Sequence, residues 1–421
     1  MTEKGDGESR EFDIVLWGAT GFAGNLVAEY LAGPDGAGDL DWAIAGRNRS
    51  KLKSLRDELV ERGDLDELPI IVGDANNRES LDSMASRARV VCSTVGPYAR
   101  YGTQLVEACI DNGTDYCDLT GEVHWVRQMI DRFHERAREA NARIVHCCGF
   151  DSIPSDLGTL MVQRKAQQEW GASCKEAKFF LMGASGGFSG GTVESMANLM
   201  SEASEDPSIL EILGDPYALN PEGERSGPDG GVQTGPRYDE DVERWTGPFF
   251  MAPVNEKVVR RSNALRDWDY GRDFHYSESA AFADGFTGAL SAGGFSAGSA
   301  LFNGAMALGP TRRLLQKFVL PEPGEGPSRD AIENGYFKVK IVGKGVSEKG
   351  HPFRIEGTVA ADRDPGYGAT AIMLGESALC LALDGPEDSR IADGGILTPA
   401  SAMGMALVER LRGAGMTFDV T

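Results

Sequence analysis

The apolar run Phe12-Asp13-Ile14-Val15-Leu16-Trp17 passes directly into Gly18-Ala19-Thr20-Gly21-Phe22-Ala23-Gly24, so an extended strand meets three glycines at the spacing G-x-x-G-x-x-G. The first glycine allows a tight strand-to-helix turn, the second lets backbone N–H groups reach a pyrophosphate, and the third allows close packing of helix on strand. A helix from Phe22 to about Ala32 would then present unpaired N–H groups and the positive end of its dipole to an anion. Glycine spacing alone is a weak signal. It gains force from a second strand and a ribose-reading residue at the right distance, and both are present.

The second strand is Asp41-Trp42-Ala43-Ile44-Ala45-Gly46, ending in Arg47-Asn48-Arg49, with Ser50 as the expected cap of the next helix. In a Rossmann unit this strand end, about twenty residues past the glycines, reads the ribose. A carboxylate here bonds the 2′-hydroxyl of NAD. The chain instead carries Gly46 and Arg47, with Arg49 and Lys51 nearby, and a guanidinium offers a planar fork of donors to a 2′-phosphate. The pattern predicts NADP(H), held by Gly18, Thr20, Gly21, Phe22, Gly24, Arg47 and Asn48. The plain alternative for Arg47 is a surface charge following a strand.

Alternation continues through Leu68–Val72, Val90–Cys92, Tyr116–Asp118 and Ile144–Cys148, so six strands are expected in a doubly wound parallel sheet of α/β class. Ligands of such sheets gather outside the carboxyl ends of the strands. Asp74 is therefore expected at the adenine edge, and Ser93, Thr94, Val95 and Gly96 along the cofactor towards the nicotinamide. Tyr98, after the stiff Gly96-Pro97 turn, is a candidate proton donor or an aromatic packed on the cofactor. Asp118, Glu122, His124 and Asp151 also follow strand ends. Asp118 and Asp151 are read as catalytic candidates, with helix capping or loop bracing as the alternative.

From about Ser152 the pattern shifts to strands without intervening helices: Ala177–Met182, Tyr336–Val342 and Phe353–Ala360. The expected organisation is a Rossmann domain over 1–151, an inserted domain with a mixed, mostly antiparallel sheet over 152–390, and a C-terminal helix over 391–421 returning to the first. Glu205–Thr246 and Pro321–Pro327 read as loops. Arg260, Arg261 and Arg266 lie in a charged, strand-like stretch that reads as solvated surface.

A Tyr-x-x-x-Lys pair at Tyr336 and Lys340 falls on a strand, where the two stand too far apart to act together. The glycine-rich Gly183–Gly191 leads to a helix from Val193 whose N-terminus suits a carboxylate or phosphate, or else forms a lid; no P-loop ending follows it. Gly285–Thr311 holds no charge and many glycines and alanines. It reads as a groove wall, a lipid-meeting surface or interior packing, and its glycine content argues against a bilayer span.

The seven cysteines are scattered without a C-x-x-C pair, which predicts reduced core residues and no metal. Sixty-four acidic residues against 42 basic give a formal charge of −22, so a phosphate backbone would be repelled and no nucleic-acid partner is expected. An acidic, lysine-poor surface leads to the expectation of a halophilic cytoplasm. The polar first ten residues predict neither a secretory signal nor a transit peptide, hence a cytoplasmic location, with membrane association through 285–311 and a homodimer left open.

Together, Gly18–Gly24 with Ala45-Gly46-Arg47, Thr94–Tyr98 with Tyr101-Gly102, Asp115–Glu122 with Gly149–Asp156, and Gly394–Ala402 resemble the saccharopine dehydrogenase-like oxidoreductases, especially the trans-acting enoyl reductases. The resemblance covers nearly the whole chain, loosely in the middle third. It implies an NADP-binding Rossmann domain, an inserted mixed sheet, and reduction of a carbon–carbon double bond in an apolar or carrier-bound acyl substrate from a lipid or polyketide pathway. The acidic surface and long acidic loop depart from the pattern and leave partner docking and substrate open. Imine reduction, as in saccharopine reductases, and a non-catalytic NADPH sensor remain as alternatives.

Overall fold

The strand that opens the glycine motif is buried along almost its whole length, as a central strand covered on both faces must be. In the computed structural model of the chain, which describes residues 10–62, 65, 67–186, 190–318, 326–385 and 394–421, the order begins β1 (Phe12–Trp17), α1 (Phe22–Ala32), β2 (Trp42–Gly46), α2 (Arg49–Arg62), β3 (Ile70–Val72), α3 (Arg78–Ala85), β4 (Ala88–Ser93), α4 (Tyr98–Tyr101), α5 (Thr103–Asp111), β5 (Asp115–Asp118), α6 (Val123–Glu139) and β6 (Arg143–Val145). Next come α7 (Ile153–Trp170), β7 (Glu176–Ser185), α8 (Gly190–Glu205), α9 (Ser208–Gly214), β8 (Arg237–Asp239), β9 (Arg244–Gly247), α10 (Ala252–Leu265), β10 (His275–Ala281), α11 (Gly285–Ala307) and α12 (Gly309–Phe318). Then follow α13 (Arg329–Glu333), β11 (Tyr336–Val346), β12 (Pro352–Ala361), a π-helical turn at Pro365–Ala369, α14 (Thr370–Leu383), β13 (Gly395–Leu397), α15 (Pro399–Ala402), α16 (Gly404–Gly413) and β14 (Thr417–Val420).

The first sheet has strand order β13-β6-β5-β4-β1-β2-β3 and is parallel throughout, so the six expected strands gain a seventh from the C-terminal region. Helices α1 and α14 cover one face, and α3, α5 and α6 the other. The second sheet has order β14-β12-β11-β7-β10-β9-β8 and is mixed, because β10 runs parallel to β7 while the other pairs are antiparallel. Helix α7 lies on this sheet at Gly158, where an added Cβ would come within 2.4 Å of the Ile341 side chain. The fold class is thus the expected one.

Several local expectations are corrected. Asn48, not Ser50, caps α2: its Oδ1 accepts from the Lys51 N–H, and Ser50 lies inside the helix. Within the expected loop 205–246, α9 forms, and β8 and β9 build the edge of the second sheet. Arg260 and Arg261 belong to the buried helix α10, and Arg266 caps its C-terminal end. Of the expected loop Pro321–Pro327, residues 321–325 lie outside the described residues, as do 187–189 of Gly183–Gly191; residues 183–185 complete β7.

The chain also crosses between the sheets more often than borders at 151 and 391 anticipate. Helix α14 packs on α1, β1, β4 and β5 of the parallel sheet, whereas β14 pairs with β12 of the second. Pro365–Leu383 is long and apolar enough to cross a membrane, but 78% of that window is buried in protein, as befits a helix held between layers.

Candidate active site

The cradle is built by what its glycines exclude. Gly18 has φ +91°, and a Cβ there would stand 2.6 Å from the Val95 side chain and 2.7 Å from Thr94 Oγ1. At Gly24 a Cβ would meet the Gly18 carbonyl oxygen at 2.1 Å, so only glycine lets α1 approach the end of β1 this closely. Thr94 Oγ1 lies 3.2 Å from the carbonyl oxygens of Trp17 and Gly18 and ties the end of β4 to the turn. Gly21 is the N-cap of α1 and supplies no side-chain hydrogen bond, which leaves the first N–H groups of the helix to an anion. Gly18, Thr20, Gly21, Gly24, Thr94 and Val95 are therefore brought together. Phe22 contributes its backbone to the helix start, while its ring stands edge-on to Tyr367 at 5.0 Å.

A Cβ at Gly46 would lie 3.9 Å from Thr20 Oγ1, so the end of β2 adjoins the same turn. Arg47 and Asn48 follow it, both exposed, and among the described residues Arg47 has no hydrogen bond or ion pair. A free guanidinium beside an anion-ready turn, with no carboxylate at the strand end, fits a 2′-phosphate. Asp74, past β3, is exposed and accepts from the Asn76 N–H at 2.9 Å.

At the other end of the cradle, Gly96 is exposed and the Gly96–Pro97 peptide is cis. Glu122, 3% exposed, accepts from the N–H groups of Tyr98 and Ala99, each at 2.9 Å, and from Ser195 Oγ at 2.9 Å. Burial raises its carboxyl above the ordinary value, against the pull of these donors. Ser195 lies on α8, and a Cβ at Gly96 would be 3.6 Å from its hydroxyl. Glu202 makes a second tie from α8, to buried His124 Nε2 at 2.9 Å. Ser195 and Glu202 were not singled out above, because no sequence signal links α8 to the strand ends.

The three catalytic candidates part company. The Tyr98 ring is 3% exposed and stacks on Trp125, and its hydroxyl donates to the Ser93 carbonyl at 3.1 Å. Burial, then the nearby Asp118, raises its pKa well above the ordinary value. Its hydroxyl therefore faces the protein interior, a correction to the expectation that it meets a ligand. Asp118 is fully buried: Oδ2 lies 2.7 Å from His146 Nδ1, and Oδ1 accepts from the Thr120 N–H at 3.1 Å. It braces the loops after β5 and β6, the alternative already set beside it.

Asp151 differs from both. Among the described residues nothing hydrogen-bonds to its carboxyl, and desolvation pushes its pKa up to about 7 although the residue as a whole is partly exposed. A Cβ on Gly121 would lie 3.5 Å from Asp151 Oδ2, 3.7 Å from Met251 Cε and 4.0 Å from Val254 Cγ2. Gly121 thus lies between the carboxyl and the start of α10, where Phe250 is exposed.

A glycine cradle at the carboxyl edge of a parallel sheet, backed by a mixed second sheet, defines a Rossmann-type dinucleotide oxidoreductase. Residues 14–145 match the saccharopine dehydrogenase NADP binding domain. Over 98% of both chains the protein is 39% identical to trans-acting enoyl reductases of Mycobacterium ulcerans and Mycobacterium bovis, and 43% identical to a Mycobacterium tuberculosis protein provisionally named as such an enzyme. The fold is also that of saccharopine dehydrogenase (L-Glu forming) from Saccharomyces cerevisiae, with TM-score 0.53, 13% identity, and 97% of this chain and 99% of that one covered. The chain belongs to the saccharopine dehydrogenase-like oxidoreductases, in the trans-acting enoyl reductase branch, and is an NADP-dependent oxidoreductase.

Proposed function

We propose that the protein reduces the carbon–carbon double bond of an apolar acyl thioester, free or carrier-bound, with Asp151 as proton donor. The observation that carries this reading is the Asp151 carboxyl, which no described residue hydrogen-bonds and which lies near Gly121, as Met251 and Val254 do; burial pushes it up to about 7. The Gly18–Gly24 turn and Arg47 would hold NADPH, which when bound would supply the hydride for the β-carbon. Asp151 supplies the proton to the α-carbon and regains one from solvent. Glu122 holds the Gly96–Tyr98 turn through two backbone N–H groups, and Arg47 selects the phosphorylated cofactor.

Imine reduction of an amino acid would want free cations for carboxylates. Arg260 instead bonds Asp229 and Glu256, Arg261 donates to the carbonyls of Leu219 and Ile396, and Arg266 donates to that of Ala400. These commitments favour the enoyl reading. The test is NADPH oxidation by the purified chain with a medium-chain trans-2-enoyl thioester, scored by mass of the saturated product. Oxidation only with an amine and a 2-oxo acid would replace this reading by the imine one, and tight NADPH binding with neither reaction would favour a sensor.

A further inference from the structure

We propose that α11 and α12 seat the protein on an anionic lipid surface, lying in the headgroup layer without crossing it. From Gly285 to Leu320 the sequence holds no acidic residue and three basic ones, Arg312, Arg313 and Lys317, in a chain whose formal charge is −22. Helix α11 is 23 residues long and uncharged, yet it is turned outward. Phe286 is 83% exposed, Leu301 77% and Leu290 67%, with Phe295 and Leu308 also exposed. Its buried positions are Gly288, Ala292, Ser296 and Met306, on the side that meets β9.

Water is a poor environment for such a helix. Added Cβ atoms at Gly294, Gly298 and Gly304 would meet nothing within 4 Å, so these glycines serve no close contact among the described residues, and glycine is a weak helix former in water. At the boundary between headgroups and acyl chains the exposed Phe and Leu side chains find an apolar phase, and an amphipathic helix is the form that buries them there. Helix α12 supplies the charge complement: Arg313 and Leu314 are both exposed directly after the apolar helix. Basic residues at such a boundary are drawn to anionic lipid, each worth roughly five-fold in partitioning. The strongly acidic chain would repel the same lipid elsewhere, so this island also fixes the orientation. A second copy meeting this face with its own α11 and α12 would set the same cations against one another.

The proposal stands without the reductase reading, since it rests on surface alone. It is tested with the full chain by flotation on vesicles of phosphatidylglycerol and phosphatidylcholine against phosphatidylcholine alone. The native protein should bind the anionic vesicles at least ten-fold better. Leu301→Glu should lower binding at least ten-fold, and so should Arg312→Glu with Arg313→Glu; the defect of the charge variant should shrink in molar salt, where screening acts within about 3 Å. Retained NADPH binding shows that each variant is folded. Absence of native binding, or equal binding by native and both variants, would overturn the proposal. So would a native dimer that Leu301→Glu splits, because α11 would then belong to a second copy.

Discussion

Ser195 donates its hydroxyl hydrogen to Glu122 Oε1 at 2.9 Å, joining α8 to the carboxylate that holds the Gly96–Tyr98 turn. Glu122 therefore serves donors from two parts of the chain. In Glu122→Gln the amide nitrogen would face either the Ala99 N–H or the Tyr98 N–H, leaving a donor opposed to a donor. The expected outcome is a loss of about 1–3 kcal/mol in denaturant unfolding and weaker NADPH binding. Unchanged stability and affinity would remove Glu122 from this role.

Arg47→Ala should weaken NADPH binding about 10- to 100-fold, the range for charge-assisted bonds to phosphate, with NADH binding little altered. Titration calorimetry with both cofactors decides it. Equal loss for both would show that Arg47 does not read the 2′-phosphate.

Asp151→Asn should lower turnover on an enoyl thioester about 10²- to 10⁴-fold and leave NADPH affinity intact. Native turnover should fall as pH rises through about 7, where the carboxyl loses its proton. The stability effect runs in the same direction. A folded pKa raised from 3.8 to about 7 means that the native state binds more protons between these values, so this group's contribution declines as pH climbs across that window. At pH 8 the Asn variant should be the more stable protein, by up to about 4 kcal/mol. A less stable variant at that pH would show that the ionised carboxylate has a partner.

Tyr98→Phe should keep turnover, because the hydroxyl donates to the Ser93 carbonyl inside the protein. It should cost about 1 kcal/mol of stability, the net worth of one buried hydrogen bond. A turnover defect without a stability change would restore Tyr98 as a proton donor.

The chain should melt higher in molar potassium chloride than in dilute buffer, since salt screens the self-repulsion of a charge of −22. Equal melting in both would end the halophilic reading.

The cofactor cradle was legible because its logic is local: Gly18, Gly21 and Gly24 act within one turn, and Arg47 follows the next strand. Asp151 was legible as a residue past a strand end, but Met251 and Val254, which lie near the same Gly121, come a hundred residues further on and carry no pattern that points to it. Helix α10 was misread for a related reason. Arg260 is buried because Asp229 and Glu256 neutralise it, and Arg261 because distant carbonyls accept from it; a run of arginines by itself reads as solvated surface. Tyr98 shows the reverse failure, since sequence located the turn and not the direction in which the ring points.

The placement of β13 and β14 bears on the order of folding. Strand β13 completes the edge of the parallel sheet beside β6, laid down some 250 residues earlier, and β14 completes the edge of the other sheet beside β12. Both edges stay open, with unpaired backbone groups, until residues 395–420 arrive. Closure of both edges then depends on contacts between distant parts of the sequence, the slowest kind to form, and until they form each sheet offers a sticky edge to other chains.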